Sequence, residues 1–146
     1  PAETAGDVCE RCRAFAVEIV EEFKYTEPNL QMTLNKIGGV EWVLDPVTMQ
    51  SLVGALVGLP NGVLAMSHAV EGLVETSSNL ASVKFGAEGI VVTTSQRSSV
   101  ESAKRYAAQT VEAVLRLSGA EVAHSDGYPG WSPDPDSYLL HVTEQC

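Results

Sequence analysis

Apolar residues at Val8, Cys12, Phe15, Ile19 and Phe23 recur at steps of three and four, which lays them on one stripe of an amphipathic helix. Glu18, Glu21 and Glu22 fall off that stripe, Asp7 is its candidate cap, and Glu27-Pro28-Asn29 ends it. The period then changes. Leu30, Met32 and Leu34 alternate with Gln31, Thr33 and Asn35, the pattern of a half-buried strand, until Gly38-Gly39 breaks it. Asp45-Pro46 opens a second helix, with Asp as N-cap and Pro where a missing N–H costs nothing. Met49, Leu52, Val53 and Leu56 form its predicted buried stripe, and Gly58-Leu59-Pro60 stops it.

Residues 59–97 hold the clearest β pattern and the most distinctive polar side chains. Pro60-Asn61-Gly62 is one turn signal and the run from Gly86 to Gly89 is a second, so residues 72–85 and 90–97 are predicted to form a hairpin. Near its turn, Ala81, Val83 and Phe85 point one way and Ser82 and Lys84 the other. Farther back, Glu75, Thr76, Ser77, Ser78 and Asn79 are polar in succession. Such a run is a solvated strand end, or else an edge, a subunit contact or the wall of a ligand site. Ser98 and Glu101 have capping-box spacing for a further helix. Val100, Ala103, Ala107, Val111 and Val114 give its apolar stripe, and Gly119 closes it. Residues 120–124 are predicted as one more strand. Gly127, Pro129, Gly130, Pro133 and Pro135 then force an irregular turn, and a last helix begins after Asp136.

After the first helix the order is therefore β, α, β, β, α, β. That is the α+β, ferredoxin-like βαββαβ sandwich, an antiparallel sheet with helices on one face, here preceded by an extra N-terminal helix. Right-handed crossovers through helices at 46–58 and 99–118 satisfy the connection rules. An open sheet face or free edge on such a domain invites a partner, often a second copy.

Composition narrows this without changing it. A chain of 146 residues with 45% hydrophobic residues buries an ordinary core, so residues 1–146 are expected to form a single domain. No run of about 18 apolar residues is present to span a membrane. The net charge of −10 argues against nucleic acid and anionic lipid, both bound through clustered Lys and Arg. Three cysteines make no disulfide framework, which points to a cytoplasmic location. The chain opens on Pro1 and stops at Cys146 soon after a new helix begins, as expected of a piece of a longer protein.

Candidate chemistry is sparse. Cys9 and Cys12 invite a metal or redox reading, but no second pair follows at zinc-ribbon spacing, and His68, His124 and His141 are scattered. Two cysteines on an ordinary helix is the better account. Trp42 is either a core anchor or a pocket wall, with the core favoured. Asp126, Asp134 and Asp136 read as solvated turn carboxylates before they read as a cation site. No nucleophile triad, HExxH, phosphate loop or DxD cluster occurs, so no complete active site is legible and no catalytic residue is assigned.

Four segments carry a resemblance. Leu59-Pro60-Asn61-Gly62-Val63, Gly72-Leu73-Val74-Glu75-Thr76-Ser77-Ser78-Asn79-Leu80, Gln96-Arg97-Ser98-Ser99-Val100 and Tyr128-Pro129-Gly130-Trp131 resemble, in this order, the aminoacyl-histidine (Xaa-His) dipeptidases, also called peptidase D. The likeness runs from about Phe15 to Val142. It implies a parent zinc metallopeptidase of carnosinase-like specificity, whose catalytic domain carries the zinc ligands. It also implies a lid domain that shapes the substrate site and makes a homodimer. This chain resembles the second part of that lid, with residues 136–146 starting the helix that returns to a catalytic domain absent here. No zinc ligand carries over. Asn79 and Arg97 do, as lid residues that reach toward the dipeptide substrate. The Arg fork suits a terminal carboxylate, and the Asn amide can donate to a carbonyl or carboxylate oxygen. A stand-alone ferredoxin-like module, binding a small carboxylate or assembling proteins, is the alternative.

Overall fold

Helices form at the segments predicted to be helical. In the computed structural model, which describes residues 5–35, 38–131, 134 and 136–144, α1 spans Ala5–Phe23 and α2 spans Pro46–Gly58. Asp45 caps α2 as its sequence required: Oδ1 accepts from Val47 N–H at 2.9 Å and Thr48 N–H at 3.1 Å. The chain divides into two compact units, one ending at Val43 and the other beginning at Leu44.

The first unit contains α1 and an extended segment. Residues 30–35 do not form the predicted strand; Met32 and Leu34 are exposed. A period-two pattern becomes a strand only against a neighbour, and the described residues of this unit hold no strand to pair with. Trp42, expected in a core, is 83% exposed.

The second unit is an α+β arrangement of α2, β1 (Gly62–Met66), β2 (Val74–Gly86), β3 (Gly89–Ser98), α3 (Glu101–Leu117) and α4 (Tyr138–Glu144). The sheet is antiparallel in the order β1-β2-β3. The full ferredoxin-like layout is not what the described residues form. Its first strand, at 30–35, is missing, and residues 120–124 are not a strand. Val122 instead packs against the helix core, and His124 Nε2 lies 3.0 Å from Glu112 Oε2 of α3, so this segment is held by α3. In their place stands β1, whose apolar run follows the Pro60-Asn61-Gly62 turn without alternating. Its start is tied to β2 by Asn61 Oδ1, which accepts the Leu80 N–H at 2.9 Å.

The core is small and lies between α2, α3 and the sheet. Ala55, Leu59, Val111 and Leu115 are buried together, with Leu56, Leu80, Val92, Val114 and Val122 around them. On α2 the buried face matches the predicted one in part: Leu56 packs on the core and Leu52 is half-buried, but Met49 and Val53 are half exposed, while Ala55 and the cap residue Leu59 face inward. An apolar residue on nearly every side of α2 left its periodicity unable to choose. The stripe of α3 is as predicted in Ala103, Ala107 and Val111, with Leu115 added. Its end is a Schellman turn at Gly119 (φ +86°), where Gly119 N–H donates to Arg116 C=O and Ala120 N–H to Leu115 C=O, both at 3.0 Å.

Candidate functional site

The β2–β3 hairpin joins at Gly86 and Gly89, and a register shift interrupts its ladder. Leu80 pairs with Thr94 and Ser82 with Thr93, leaving Ala81 as the extra residue of a bulge. One inserted residue reverses the parity of a strand. Thr76, Ser78 and Leu80 thus share one face with Val83 and Phe85 beyond the bulge; the predicted split of Val83 and Phe85 from Ser82 and Lys84 holds in the pairing, and Ala81 alone departs from it. Ala81 and Phe85 are exposed, while Ser82 and Val83 are half-buried.

The polar run from Glu75 to Asn79 is not a solvated strand end. Thr76 and Ser78 are each only 3% exposed, beneath the helices. Their hydroxyls are satisfied across the strands: Thr76 Oγ1 is 2.9 Å from Ser98 Oγ, and Gln96 Nε2 donates to Ser78 Oγ at 3.2 Å. Buried hydroxyls without such partners would oppose folding, so this register is specified by polar pairs as well as by Leu80 and Val92.

The same register fixes the opposite face. Ser77 lies opposite Arg97 and Asn79 opposite Ser95, which makes Asn79 and Arg97 diagonal neighbours on the uncovered side. Diagonal positions of an antiparallel pair stand roughly 7 Å apart, within common reach of one small polar ligand. Both residues are exposed, and no ion pair or side-chain hydrogen bond engages either one among the described residues. The surface is open, not a cavity: two shallow concavities along α1 include neither residue.

At the end of β3 the structure adds residues that sequence reasoning did not single out as a group. Ser98 is not the N-cap of α3, because it still belongs to the sheet; its Oγ accepts the Val100 N–H at 3.0 Å. Glu101 does not turn back to Ser98 to complete a capping box. Its Oε1 accepts from Lys104 Nζ at 2.6 Å and from Gly130 N–H at 3.0 Å, while Lys104 Nζ also donates to Tyr128 C=O at 2.8 Å. Those two donors, Lys104 first, hold the Glu101 carboxyl below its ordinary value. Tyr128-Pro129-Gly130-Trp131 carried part of the resemblance, but the role of Gly130 is visible only from its neighbours.

No metal site is built from these parts. Among the described residues no three His, Cys, Asp or Glu side chains converge. Cys9 and Cys12 are free thiols on α1, and Asp134 Oδ1 accepts the Asp136 N–H within its own turn. No helix of the described residues is long and apolar enough to cross a membrane.

No family profile matches the chain. It is, however, 28% identical over 124 residues to the cytosol non-specific dipeptidase of Escherichia coli (strain K12), an alignment covering 85% of this chain and 26% of that protein. The crystal structure of aminoacylhistidine dipeptidase from Vibrio alginolyticus superposes with a TM-score of 0.88 at 28% identity, over 99% of this chain and 30% of that one. This chain is similar to part of a dipeptidase. The chain spans less than a third of the length of either relative. The resemblance carried by the four sequence segments and the similarity of the folded chain therefore agree.

Proposed function

We propose that the chain is the lid and dimerisation domain of a zinc dipeptidase acting on Xaa-His dipeptides in the cytoplasm. In this reading it positions substrate and has no catalytic centre of its own. Zinc and the residues that hold it belong to a catalytic domain outside this chain, so no chemical step is assigned here. Arg97 grips the substrate's terminal carboxylate through two parallel N–H donors, and Asn79 donates to a neighbouring oxygen. The observation that carries the reading is the pair itself: two exposed polar side chains, unpartnered among the described residues and diagonal on one sheet face of a chain similar to part of a dipeptidase.

Dimerisation fits the same frame. β3 runs for ten residues along an edge of the three-stranded sheet, and a strand from a second copy would extend it toward the four-stranded ferredoxin-like layout. A stand-alone carboxylate-binding module is the second reading, favoured by the second unit having its own core.

A chimera tests the first reading. This chain replaces the matching segment of the E. coli dipeptidase, and β-Ala-His hydrolysis is followed. Activity is expected, with Arg97→Ala lowering kcat/KM by roughly 10- to 100-fold, the effect of losing a charge-assisted contact. An active chimera indifferent to that change would remove the clamp. A chain that binds β-Ala-His alone and stays monomeric in sedimentation would favour the second reading.

A further inference from the structure

Arg97 occupies the last exposed position of β3, and the backbone leaves the sheet within two residues of it. Strand ends fray, and a side chain on a fraying end is a poor clamp because its geometry must be re-formed at every encounter. This end is restrained from two sides. On the sheet side, Ser98 Oγ meets Thr76 Oγ1 at 2.9 Å, and Ser99 N–H donates to Glu75 C=O at 3.1 Å, which carries the ladder past Arg97.

On the other side the Tyr128 to Trp131 segment lies directly on the corner. A Cβ at position 130 would stand 2.2 Å from Ser98 O and 3.2 Å from Ser99 Cα, so backbone meets backbone and only glycine fits. The segment is fastened from α3. Glu101 Oε1 accepts the Gly130 N–H at 3.0 Å, and Lys104 Nζ binds both that carboxylate at 2.6 Å and Tyr128 C=O at 2.8 Å. One exposed ion pair alone would hold little. Here it fixes two peptide groups of a strap whose close seat depends on having no side chain.

We infer that Glu101, Lys104 and Gly130 are positioning residues for Arg97, forming a strap that keeps the end of β3 on the sheet. Its purpose rests on the reading of Arg97 as a carboxylate clamp, whereas its geometry does not. The strap also makes the 128–131 segment move with the hairpin, so whatever shifts that segment shifts Arg97.

Amide exchange and arginine side-chain relaxation by NMR on the 146-residue chain test this. Glu101→Ala is expected to speed exchange of the Ser99 N–H roughly tenfold, the scale of one net hydrogen bond, and to loosen the Arg97 Nε–H. Glu101→Gln, which keeps an oxygen for the Gly130 N–H, restores both. Gly130→Ala should reproduce the Glu101→Ala pattern. If Gly130→Ala unfolds the unit, the Glu101 pair decides. Unchanged Ser99 and Arg97 signals while those of residues 128–131 move would overturn the proposal. An equal acceleration at Val83 and Val92 would overturn it too, since the effect would then be global. The clamp is read separately, in the chimera with the E. coli dipeptidase: an Arg97→Ala change that left kcat/KM unaltered would count against the clamp and leave the strap standing.

Discussion

Helices α1 and α3 carry apolar stripes of similar length and spacing, yet only one stripe is buried. α3 sets Ala107, Val111 and Leu115 at 8% exposure or less, against α2 and the sheet. α1 buries no residue at all, and Phe15 at the middle of its stripe is 60% exposed. Amphipathic periodicity says which way a helix will face, but the free energy comes from what covers that face. The second unit therefore has its own source of stability, and the first has a stripe without one among the described residues.

The largest effect should separate the two directly. Leu115→Ala is expected to destabilise the cooperative urea transition by about 2–4 kcal/mol through lost burial and a residual cavity. Phe15→Ala, a larger deletion, should change it by less than about 0.5 kcal/mol. Equal costs would mean that the α1 stripe is covered in solution and that the two units share a core. Deleting the first unit sharpens the contrast, because residues 44–146 should retain the transition of the whole chain.

How much of this was legible follows the same division. Asp45-Pro46, the Gly86–Gly89 turn and Gly119 act through local backbone chemistry, and each does in the structure what its sequence required. The elements that depended on neighbours were misread. Leu30, Met32 and Leu34 alternate correctly but find no strand, whereas Gly62–Met66 does not alternate and becomes β1 because β2 is beside it. Ala81 looked like a core position until the bulge reversed the parity around it. For the candidate site, the sequence and its resemblance supplied Asn79 and Arg97. Their sharing of one face depends on the register, which the buried Thr76–Ser98 and Ser78–Gln96 pairs help to set.

That register is the next point at which to break the second unit. Thr76→Val keeps shape but removes the hydroxyl facing Ser98, leaving the half-buried Ser98 Oγ with only the Val100 N–H for a partner. A loss of about 1–2 kcal/mol is expected in the same transition. A double change that also replaces Ser98 by Ala should recover part of it, because both ends of the pair are then apolar. Full additivity would show that the two hydroxyls act independently and that the pair does not specify register.

The smallest effect is electrostatic and again concerns the second unit. Asp45, Glu101 and Glu112 all have carboxyls held below their ordinary values. For Asp45 the Thr48 hydroxyl is the main cause, with the Thr48 and Val47 N–H groups assisting; for Glu112 it is Arg116 and then His124; for Glu101 it is Lys104 and then Gly130. A depressed folded-state value means that the unfolded chain takes up protons first as pH falls. The stabilisation from these groups is therefore complete above about pH 5 and fades as pH drops through their lower folded values. Asp45 and Glu101 are exposed and Glu112 is only half-buried, so the slope should be shallow and should flatten further in salt. Stability of residues 44–146 measured between pH 7 and pH 3 should decline only at the acid end, and Glu112→Gln should reduce that decline. A decline that began near neutrality would place its origin outside these three carboxylates, because none of them gains a proton there.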